Sequence, residues 1–340
     1  MRQITLKDIA SKLNISVTAV SKALKGYSDV SKSTRDSVIA MAEELHYTPN
    51  SVAVNLRTQQ TKTIGIIIPS IVHQFFSKVL SGIIEEAEKK GYLVFTLQSN
   101  ESIALEKKQI DLLLNKRVDG ILMSLATENN DISHLQKVID NKTPLVLFDK
   151  ISKIINCSKV VIDDRESAYN AVTHLIKSGC KKISHFRGPL NPQNSIDRYL
   201  GYRKALEDNQ IKYDPSLVYT CEAVTFEEGY EFAKKLYGQH KDIDGIFAVA
   251  DLVAVGAIAY FNEIGVKIPN QISIIGFSNW FIGSVISPSL STVDQPGYKM
   301  GKKALKLLFK EMNPKKKGEE FIPKTIVLPT EIIKRNSTLN

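Results

Sequence analysis

The spacing of apolar residues changes along the chain, and from Ile64 onward short apolar runs alternate with helical patterns. The apolar runs predict buried strands, and the amphipathic segments between them predict helices. The predicted strands cover residues 64–69, 92–98, 120–124, 144–149, 160–163, 182–188, 217–220, 245–250, 272–277 and 325–329. The predicted helices cover residues 75–90, 104–116, 132–141, 164–178, 197–209, 226–237, 251–264 and 299–312. This alternation indicates parallel sheets with helices on both faces.

The number of strand–helix units is too large for one ordinary sheet. We therefore expect an α/β core of two doubly wound parallel-sheet lobes, with a ligand cleft between them at the carboxyl ends of the strands. The segment STVDQP at 291–296 is expected to cross between the lobes. The first lobe is assigned residues 63–161 and 295–322, and the second lobe residues 162–292 and 324–340.

The first 48 residues show a different pattern, that of short helices. Thr5 and Asp8 have capping-box spacing at the start of one helix, and Ser16 is a good N-cap for the next. Gly26 is expected to close that second helix in the left-handed conformation. A third helix from Ser31 to about residue 46 completes a small head, and the first two helices have helix-turn-helix spacing.

The second helix of this head has a small, hydroxyl-bearing and cationic face. One side of the helix carries Val17, Thr18, Ser21, Lys22 and Lys25. Such a face suits a major groove, because a valine can contact a thymine methyl and the polar side chains can bond base edges or phosphates. The alternative from the pattern alone is an ordinary surface helix of a small bundle.

Residues 49–62 connect the head to the core, which is assigned residues 63–340. Asn50 can cap a short helix over residues 51–56, which is too short to be stable alone in water. A polar run follows as a linker. The segment is therefore either an ordinary connector or a hinge that folds only on a partner.

Composition and charge narrow the class of protein. The chain has 340 residues and a formal net charge of +9, which suits a polyanionic partner such as DNA. No apolar run has the length of a membrane span, and the first residues lack the apolar centre of a signal peptide, so a cytoplasmic location is expected. The three cysteines are far apart and are expected to be unpaired.

Signatures of enzyme chemistry are missing from the sequence. The six histidines have no metal-binding spacing, and no glycine-rich phosphate loop follows a strand, so neither a metal nor a cofactor nor a catalytic residue is assigned. His73 is expected to be a solvated loop residue. Asp163 and Asp164 are expected to cap the helix that follows them rather than to act as an acid–base pair.

Five segments in order carry a resemblance to a known family. They are TLKDIASKLNISVTAVSKALKG, ELHYTPNSVAVNLRTQQTKTIGIIIP, VIDDRESAYNAVTHLIKSG, DRYLGYRKAL, and ISIIGFSN with PSLSTVDQP. With them the chain resembles the lactose-repressor (LacI/GalR) family of bacterial transcription factors along essentially its whole length. The resemblance implies a three-helix DNA-binding head, a hinge helix, and a periplasmic-binding-protein-like core that dimerises and binds a small effector.

The resemblance also implies which residues contact operator DNA. The leucine that matches Leu56 enters the minor groove at the centre of the palindrome when the hinge helix folds on DNA. Val17 and Thr18 occupy positions that vary across the family and are expected to set sequence preference. The expected DNA contacts are Thr5, Ser16, Val17, Thr18, Ser21, Lys22, Lys25, Asn50, Ala53 and Leu56.

Effector contacts are implied in the same way, by position in the family's motifs. The expected residues are Phe75, Phe76, Asp149, Arg198, Asp251, Ser278 and Asn279. An arginine with carboxylates and an aromatic wall is a usual means of binding a sugar. The chain departs from common family patterns at Ala250 and in GFSN, which makes this pocket less acidic. Trp280 is expected either to stack on a ligand or to lie at the rim of the pocket or at a dimer interface, and the second alternative is favoured.

We therefore predict a transcriptional regulator that binds a pseudo-palindromic operator as a homodimer or larger oligomer. A repressor is favoured over an activator. A small effector, expected to be a sugar or sugar derivative, controls its DNA affinity. The alternatives are a cytoplasmic sugar-binding protein without a DNA function and a sugar-processing enzyme. The helix-turn-helix pattern disfavours the former, and the absence of a nucleophile–base set disfavours the latter.

Overall fold

The computed structural model describes residues 4–48, 60–127, 131–313 and 321–339. The chain divides into two compact units, Met1–Thr61 and Lys62–Asn340, which we call the head and the core. The predicted hinge helix, with Asn50, Ala53 and Leu56, lies outside the described residues.

Residues 4–48 of the head form three helices, α1 (Leu6–Leu13), α2 (Val17–Leu24) and α3 (Lys32–Glu44). Ile9, Val20 and Val38, one from each helix, are fully buried and form the centre of its small core. Apolar burial of this kind holds together helices that are too short to persist alone.

The predicted capping residues of the head helices are confirmed. The Asp8 carboxylate accepts a hydrogen bond from the Thr5 backbone N–H at 2.8 Å, as a capping box requires. Ser31 caps α3 by accepting from the Thr34 N–H. Gly26 has a φ of +73°, the left-handed conformation that glycine adopts at low cost. Helix α3 ends at Glu44, two residues before the predicted end.

The core alternates strands with helices, as predicted. In chain order its strands are β1 (Thr63–Ile68), β2 (Leu93–Gln98), β3 (Gly120–Met123), β4 (Leu145–Phe148), β5 (Ser158–Ile162), β6 (Ile183–Arg187), β7 (Val218–Thr220), β8 (Gly245–Ala248), β9 (Ser273–Phe277), β10 (Ser291–Asp294), β11 (Thr325–Leu328) and β12 (Glu331–Ile333). Its helices are α4 (Gln74–Glu88), α5 (Ile103–Asn115), α6 (Ser133–Asp140), α7 (Asp164–Lys177), α8 (Gln193–Asp208), α9 (Phe226–Gln239), α10 (Asp251–Glu263), α11 (Phe281–Val285) and α12 (Gly297–Met312).

Two six-stranded sheets define the two lobes of the core. The first sheet has the order β11-β5-β4-β3-β1-β2, and its pairs are all parallel. The second has the order β12-β10-β9-β8-β6-β7, and only the β10–β12 pair is antiparallel. The chain passes between the sheets three times, after β5, after β10 and after β11. The predicted α/β architecture of two parallel-sheet lobes is thus confirmed.

The structure corrects several details of the prediction. Residues 291–294, expected to be only a crossing segment, form β10, because Val293 is their sole strongly apolar residue and the pattern is too weak to read as a strand. Strand β11 was assigned to the second lobe, but it pairs with β5 in the first sheet, and an apolar run does not tell which sheet it joins. Strand β12 and helix α11 were missed. Helix α8 begins at Gln193, four residues earlier than predicted, because the preceding polar residues resemble a loop.

Candidate functional site

Helix α2 presents a polar face because Val20 and Ala23 bury its other face in the head. Ser16 Oγ accepts a hydrogen bond from the Ala19 N–H at 3.1 Å and so fixes the start of the helix. Of the predicted DNA-contacting residues in this unit, Thr5, Ser16, Val17, Thr18 and Lys25 are exposed, and Ser21 and Lys22 are half-buried. The structure therefore leaves this face accessible to a ligand such as DNA.

Lys22 already has an acidic neighbour in the head. Its Nζ forms an ion pair with Asp29, in the segment between α2 and α3. The pair raises the pKa of Lys22 and lowers that of Asp29, mainly through their hydrogen bond. Any contact of Lys22 with DNA must therefore compete with Asp29 for the ammonium group.

A cavity of about 570 Å³ lies between the two lobes of the core, at the carboxyl ends of strands from both sheets. The strand ends bring side chains to one place from segments distant in sequence, as expected for doubly wound sheets. Its first-lobe lining is Ser70, His73, Phe75, Phe76, Asn100, Glu101, Thr127, Asp149 and Lys150. The remaining lining residues are Gly188, Pro189, Pro192, Asn194, Ser195, Arg198, Glu222, Ala223, Val224, Val249, Ala250, Ser278 and Gln295.

Arg198 lies on α8 and is held in place on three sides. Its Nε donates to Asp164 Oδ1 at 2.8 Å, and its Nη1 donates to the Val249 carbonyl at 2.8 Å. The guanidinium carbon lies 3.6 Å from the centre of the Phe277 ring, a cation–π contact. These contacts fix the plane of the guanidinium, and Arg198 remains part of the cavity wall.

Burial raises the pKa of both carboxyl groups near Arg198. Burial raises the pKa of Asp164 to about 7, although the neighbouring guanidinium opposes the shift. Burial also raises the pKa of Asp149, again against Arg198 and Lys150. Gln295 Nε2 lies 3.4 Å from Asp149 Oδ1, and Gln295 Oε1 accepts from the Ser278 hydroxyl at 2.6 Å. Asp149, Gln295 and Ser278 thus form a polar chain along the cavity wall.

The loops that line the cavity contain backbone strain. Asn100, Glu101, Asp149, Val224 and Ser278 all have positive φ without being glycine. For a β-branched residue such as Val224, with a φ of +59°, this conformation is a genuine outlier. Strained backbone of this kind persists where the surrounding structure holds it and is typical of ligand sites.

Residues from the two lobes also contact each other around His73, one of the lining residues of the cavity. The ring of His73, in the first lobe, lies 4.3 Å from that of Trp280, in the second, in an edge-to-face arrangement. The Phe281 N–H donates to Gln74 Oε1 at 2.7 Å, and Lys78 Nζ lies 3.4 Å from the Asn279 carbonyl oxygen. These contacts hold the N-terminus of α4 against the segment that follows β9.

The prediction that His73 is solvated was wrong. It packs between Phe76 and Trp280, and burial lowers its pKa to about 4. The preceding loop is polar in sequence, and nothing in it shows that a distant tryptophan covers the ring. Asp163 does cap α7, as expected, but Asp164 is instead the buried partner of Arg198.

Of the predicted effector-binding residues, five line the cavity and two do not. Phe75, Phe76, Asp149, Arg198 and Ser278 line the cavity. Asp251 lies outside the lining, since its carboxylate accepts from the Trp280 N–H and the Thr292 hydroxyl at 2.6 Å each. The Asn279 side chain is also engaged, with Asp294 and Arg335. Asp251 and Asn279 thus organise the second lobe beside the cavity, and their contact with an effector stays a prediction.

Several lining residues were not predicted from the sequence, notably Glu101, Lys150, Ser195 and Gln295. Glu101, Lys150 and Gln295 follow the ends of strands, and Ser195 lies at the start of a helix. This position in the α/β alternation is the signal that could have identified them. Within the described ranges, no group of three or more His, Cys, Asp or Glu residues is placed to hold a metal ion. No described helix is both long and apolar enough to cross a bilayer.

Two segments of the chain match known protein families. Residues 5–50 match the family model for bacterial regulatory proteins of the lacI family, and residues 172–338 match that for a periplasmic binding protein-like domain. The HTH-type transcriptional regulator RegA of Clostridium saccharobutylicum is 33% identical, over 98% of this chain and 99% of that protein. The chain belongs to the lacI family. As a lacI-family member it is a DNA-binding transcriptional regulator whose core binds a controlling effector.

Further relatives and solved structures agree with this lacI-family assignment. The ribose operon repressor of Halalkalibacterium halodurans is 32% identical, over 98% of this chain and 97% of that protein. The solved structure of the transcription regulator CcpA of Lactococcus lactis is 30% identical and has a TM-score of 0.73. The match covers 81% of this chain and 98% of the CcpA chain. A Lac repressor dimer, solved bound to operator and an anti-inducer, matches over the full length of both chains with a TM-score of 0.88. Its identity is 23%, so this likeness shows the fold.

Proposed function

We propose that this lacI-family protein is a repressor that binds a pseudo-palindromic operator as a homodimer, and that a hydroxylated small molecule in the interlobe cavity controls operator affinity. It acts on DNA and not as an enzyme, and it works in the bacterial cytoplasm, where the operator is. The observation that carries the proposal is the Arg198-centred cavity between two lobes, in a chain whose head presents an accessible helix α2.

The DNA-reading part of the proposal rests on α2. Its N-terminal residues Val17 and Thr18 are exposed, and a recognition helix reads base edges with the residues of its N-terminal half. Ser21 and Lys22 follow on the same face, where they can reach further bases or the phosphates. Ser16 is proposed to read the operator together with these residues. Thr5 and Lys25 are assigned to contacts with DNA phosphates, which position the helix without reading sequence.

Two copies are proposed because one three-helix head reads only a short half-site. A two-fold dimer places two heads on two half-sites, and the operator then shows the same symmetry. The hinge residues Asn50, Ala53 and Leu56 are proposed to fold on DNA between the half-sites, with Leu56 in the minor groove. That the full-length structural match is a dimer on its operator supports this arrangement.

The ligand is proposed to be sugar-like. Arg198 and Asp149 offer a planar donor and a carboxylate acceptor in the cavity, and Phe75 and Phe76 supply an apolar wall. Hydroxyl groups bond well to such pairs, and the apolar faces of a sugar ring pack on aromatic side chains. The name of one relative, the ribose operon repressor, points to the same class of molecule.

Control of DNA binding is proposed to arise from lobe closure. A ligand that contacts both lobes favours the closed core, and it shifts DNA affinity only by its differential affinity for the two core states. The His73–Trp280 and Gln74–Phe281 contacts lie where the lobes meet, so they are placed to change with closure.

The test of the proposal is selection of genomic DNA fragments by the full-length protein at two salt concentrations, with and without a small-molecule extract of the cells. We expect a small set of fragments that share a pseudo-palindrome, with retention that falls steeply as salt rises. Thr18→Ala should change which fragments are retained. Retention of all fragments alike, or a fragment set that is identical for the variant, would contradict operator reading by α2.

A further inference from the structure

The cavity contains a second cation–carboxylate pair besides Arg198 and Asp164, formed by Lys150 and Glu101. Lys150 Nζ lies 2.5 Å from Glu101 Oε1 and 3.3 Å from the Thr127 hydroxyl oxygen. The other Glu101 oxygen, Oε2, accepts from the Thr127 N–H at 2.8 Å and from its hydroxyl at 2.9 Å. The Lys150 side chain is 16% exposed, so its ammonium group is largely buried, whereas the side chain of its counter-ion Glu101 is 44% exposed.

Both cationic side chains that line the cavity are thus neutralised. Lys150 is paired with Glu101, and Arg198 is paired with Asp164. The cavity wall also holds the carboxyl groups of Asp149 and Glu222, so that two cations face four carboxyl groups. An anion that entered the cavity would find no cation without a carboxyl partner among its described lining residues.

Neutral hydrogen-bonding groups are available in the same cavity. Ser195 is 4% exposed, and its Oγ is buried without a hydrogen-bond partner among the residues that the structure describes. The same holds for His73 Nδ1. Buried polar atoms are normally satisfied, and a ligand hydroxyl, which both donates and accepts, can satisfy either group.

We propose that the cavity binds an uncharged, hydroxyl-rich molecule and rejects its phosphorylated form, and that Glu101 sets this selectivity by neutralising Lys150. The inference rests on the proposed ligand-binding role of the cavity and narrows it to one charge class. A phosphate group buried here would lose its hydration and gain no free cation, a net cost. A lysine freed from its carboxylate would instead be a good phosphate ligand.

The test uses inorganic phosphate as the probe and the full-length protein without DNA, with binding measured by titration calorimetry. Glu101→Gln removes the charge that neutralises Lys150, and we expect it to bind phosphate about tenfold tighter than the wild type or better. The double variant Glu101→Gln, Lys150→Met should lose this gain, which would locate the anion at Lys150. If Glu101→Gln does not fold, as judged by circular dichroism, Glu101→Ser removes the same charge.

A matched control is available in the first lobe, where Asp111 pairs with Lys137 at 2.5 Å on exposed helix surfaces. Asp111→Asn also frees a lysine, but away from the cavity, and should bind phosphate no better than the wild type. The inference is overturned if the wild type binds phosphate as tightly as Glu101→Gln, if Glu101→Gln gains nothing, or if its gain survives in the double variant. Because no DNA is present, none of these outcomes bears on operator binding, which the fragment selection tests separately.

Discussion

Arg198 on α8 and Asp164 at the start of α7 form an ion pair at 2.8 Å, and both side chains are more than nine-tenths buried. The pair joins the wall of the ligand cavity to the packing of two helices in the second lobe. A buried pair of this kind gains little net stability, because desolvation offsets the attraction, but it fixes orientation. The donors that Arg198 offers a ligand are therefore positioned by Asp164 and by the Val249 carbonyl.

Helices α7 and α8 approach each other closely at Gly201, so a larger residue at this position should destabilise the fold. A Cβ atom at this position would lie 2.2 Å from the Arg165 carbonyl oxygen, so Gly201→Ala must push the helices apart. We expect a loss of about 1–3 kcal/mol in the free energy of unfolding, measured by urea denaturation. Gly238→Ala on α9 is the matched control, since nothing lies within 4 Å of its Cβ position, and it should stabilise by about 0.5–1 kcal/mol. Equal effects of the two changes would show that this helix contact is not tight.

The burial of His73 predicts a pH dependence of stability. Burial lowers its pKa to about 4 from the ordinary value of 6.5, so the unfolded chain takes up a proton first as the pH falls. Above pH 6.5 both states are neutral and the group contributes nothing to the pH dependence. Between pH 6.5 and about 4 its contribution to the free energy of unfolding decreases. In His73→Gln this part of the pH dependence should disappear, as urea denaturation across that range would show; an identical slope would mean that the ring is not buried in solution.

Substitutions of the two members of the Lys22–Asp29 ion pair should have opposite effects on DNA affinity. Lys22→Ala should lower affinity for the preferred operator by about 1–3 kcal/mol and affinity for random DNA by less, if Lys22 reads a base. Asp29→Asn should raise affinity for both duplexes, since it frees the Lys22 ammonium group and removes the negative charge beside it. Fluorescence anisotropy with labelled operator and random duplexes measures the affinities of the wild type and of both variants. An equal loss on both duplexes for Lys22→Ala would assign Lys22 to phosphate only.

Local and short-range features of this chain were predictable from sequence. The capping residues Thr5, Ser16 and Ser31 act through neighbours three residues away, so their roles are visible in the sequence itself. The alternation of strands and helices follows from the spacing of apolar residues, and the two lobes follow from the number of strand–helix units. The positions of Arg198 and Asp149 in the cavity followed from the family motifs that contain them.

Features that depend on distant partners were not predictable. The pairing of Lys150 with Glu101 requires that the ends of β4 and β2 lie near each other, which no local pattern states. Asp251 ends an apolar run like a ligand-binding residue, but Thr292 and the Trp280 backbone use both of its oxygens. The environment of His73 likewise depends on Trp280, from the other lobe. In each case the chemistry of the residue was visible, while its partner was set by the tertiary fold.

Whether a ligand at Arg198 controls operator affinity can be measured as the ratio of operator affinities with and without that ligand. The operator comes from the fragment selection and the ligand from a thermal-shift screen. In the wild type we expect the ligand to change operator affinity by a coupling of about 1–3 kcal/mol. In Arg198→Ala the ratio should fall to one, and Arg198→Lys should restore little, because a lysine cannot reproduce the planar set of donors. An undiminished ratio in Arg198→Ala would contradict the account, because the controlling ligand would then bind elsewhere.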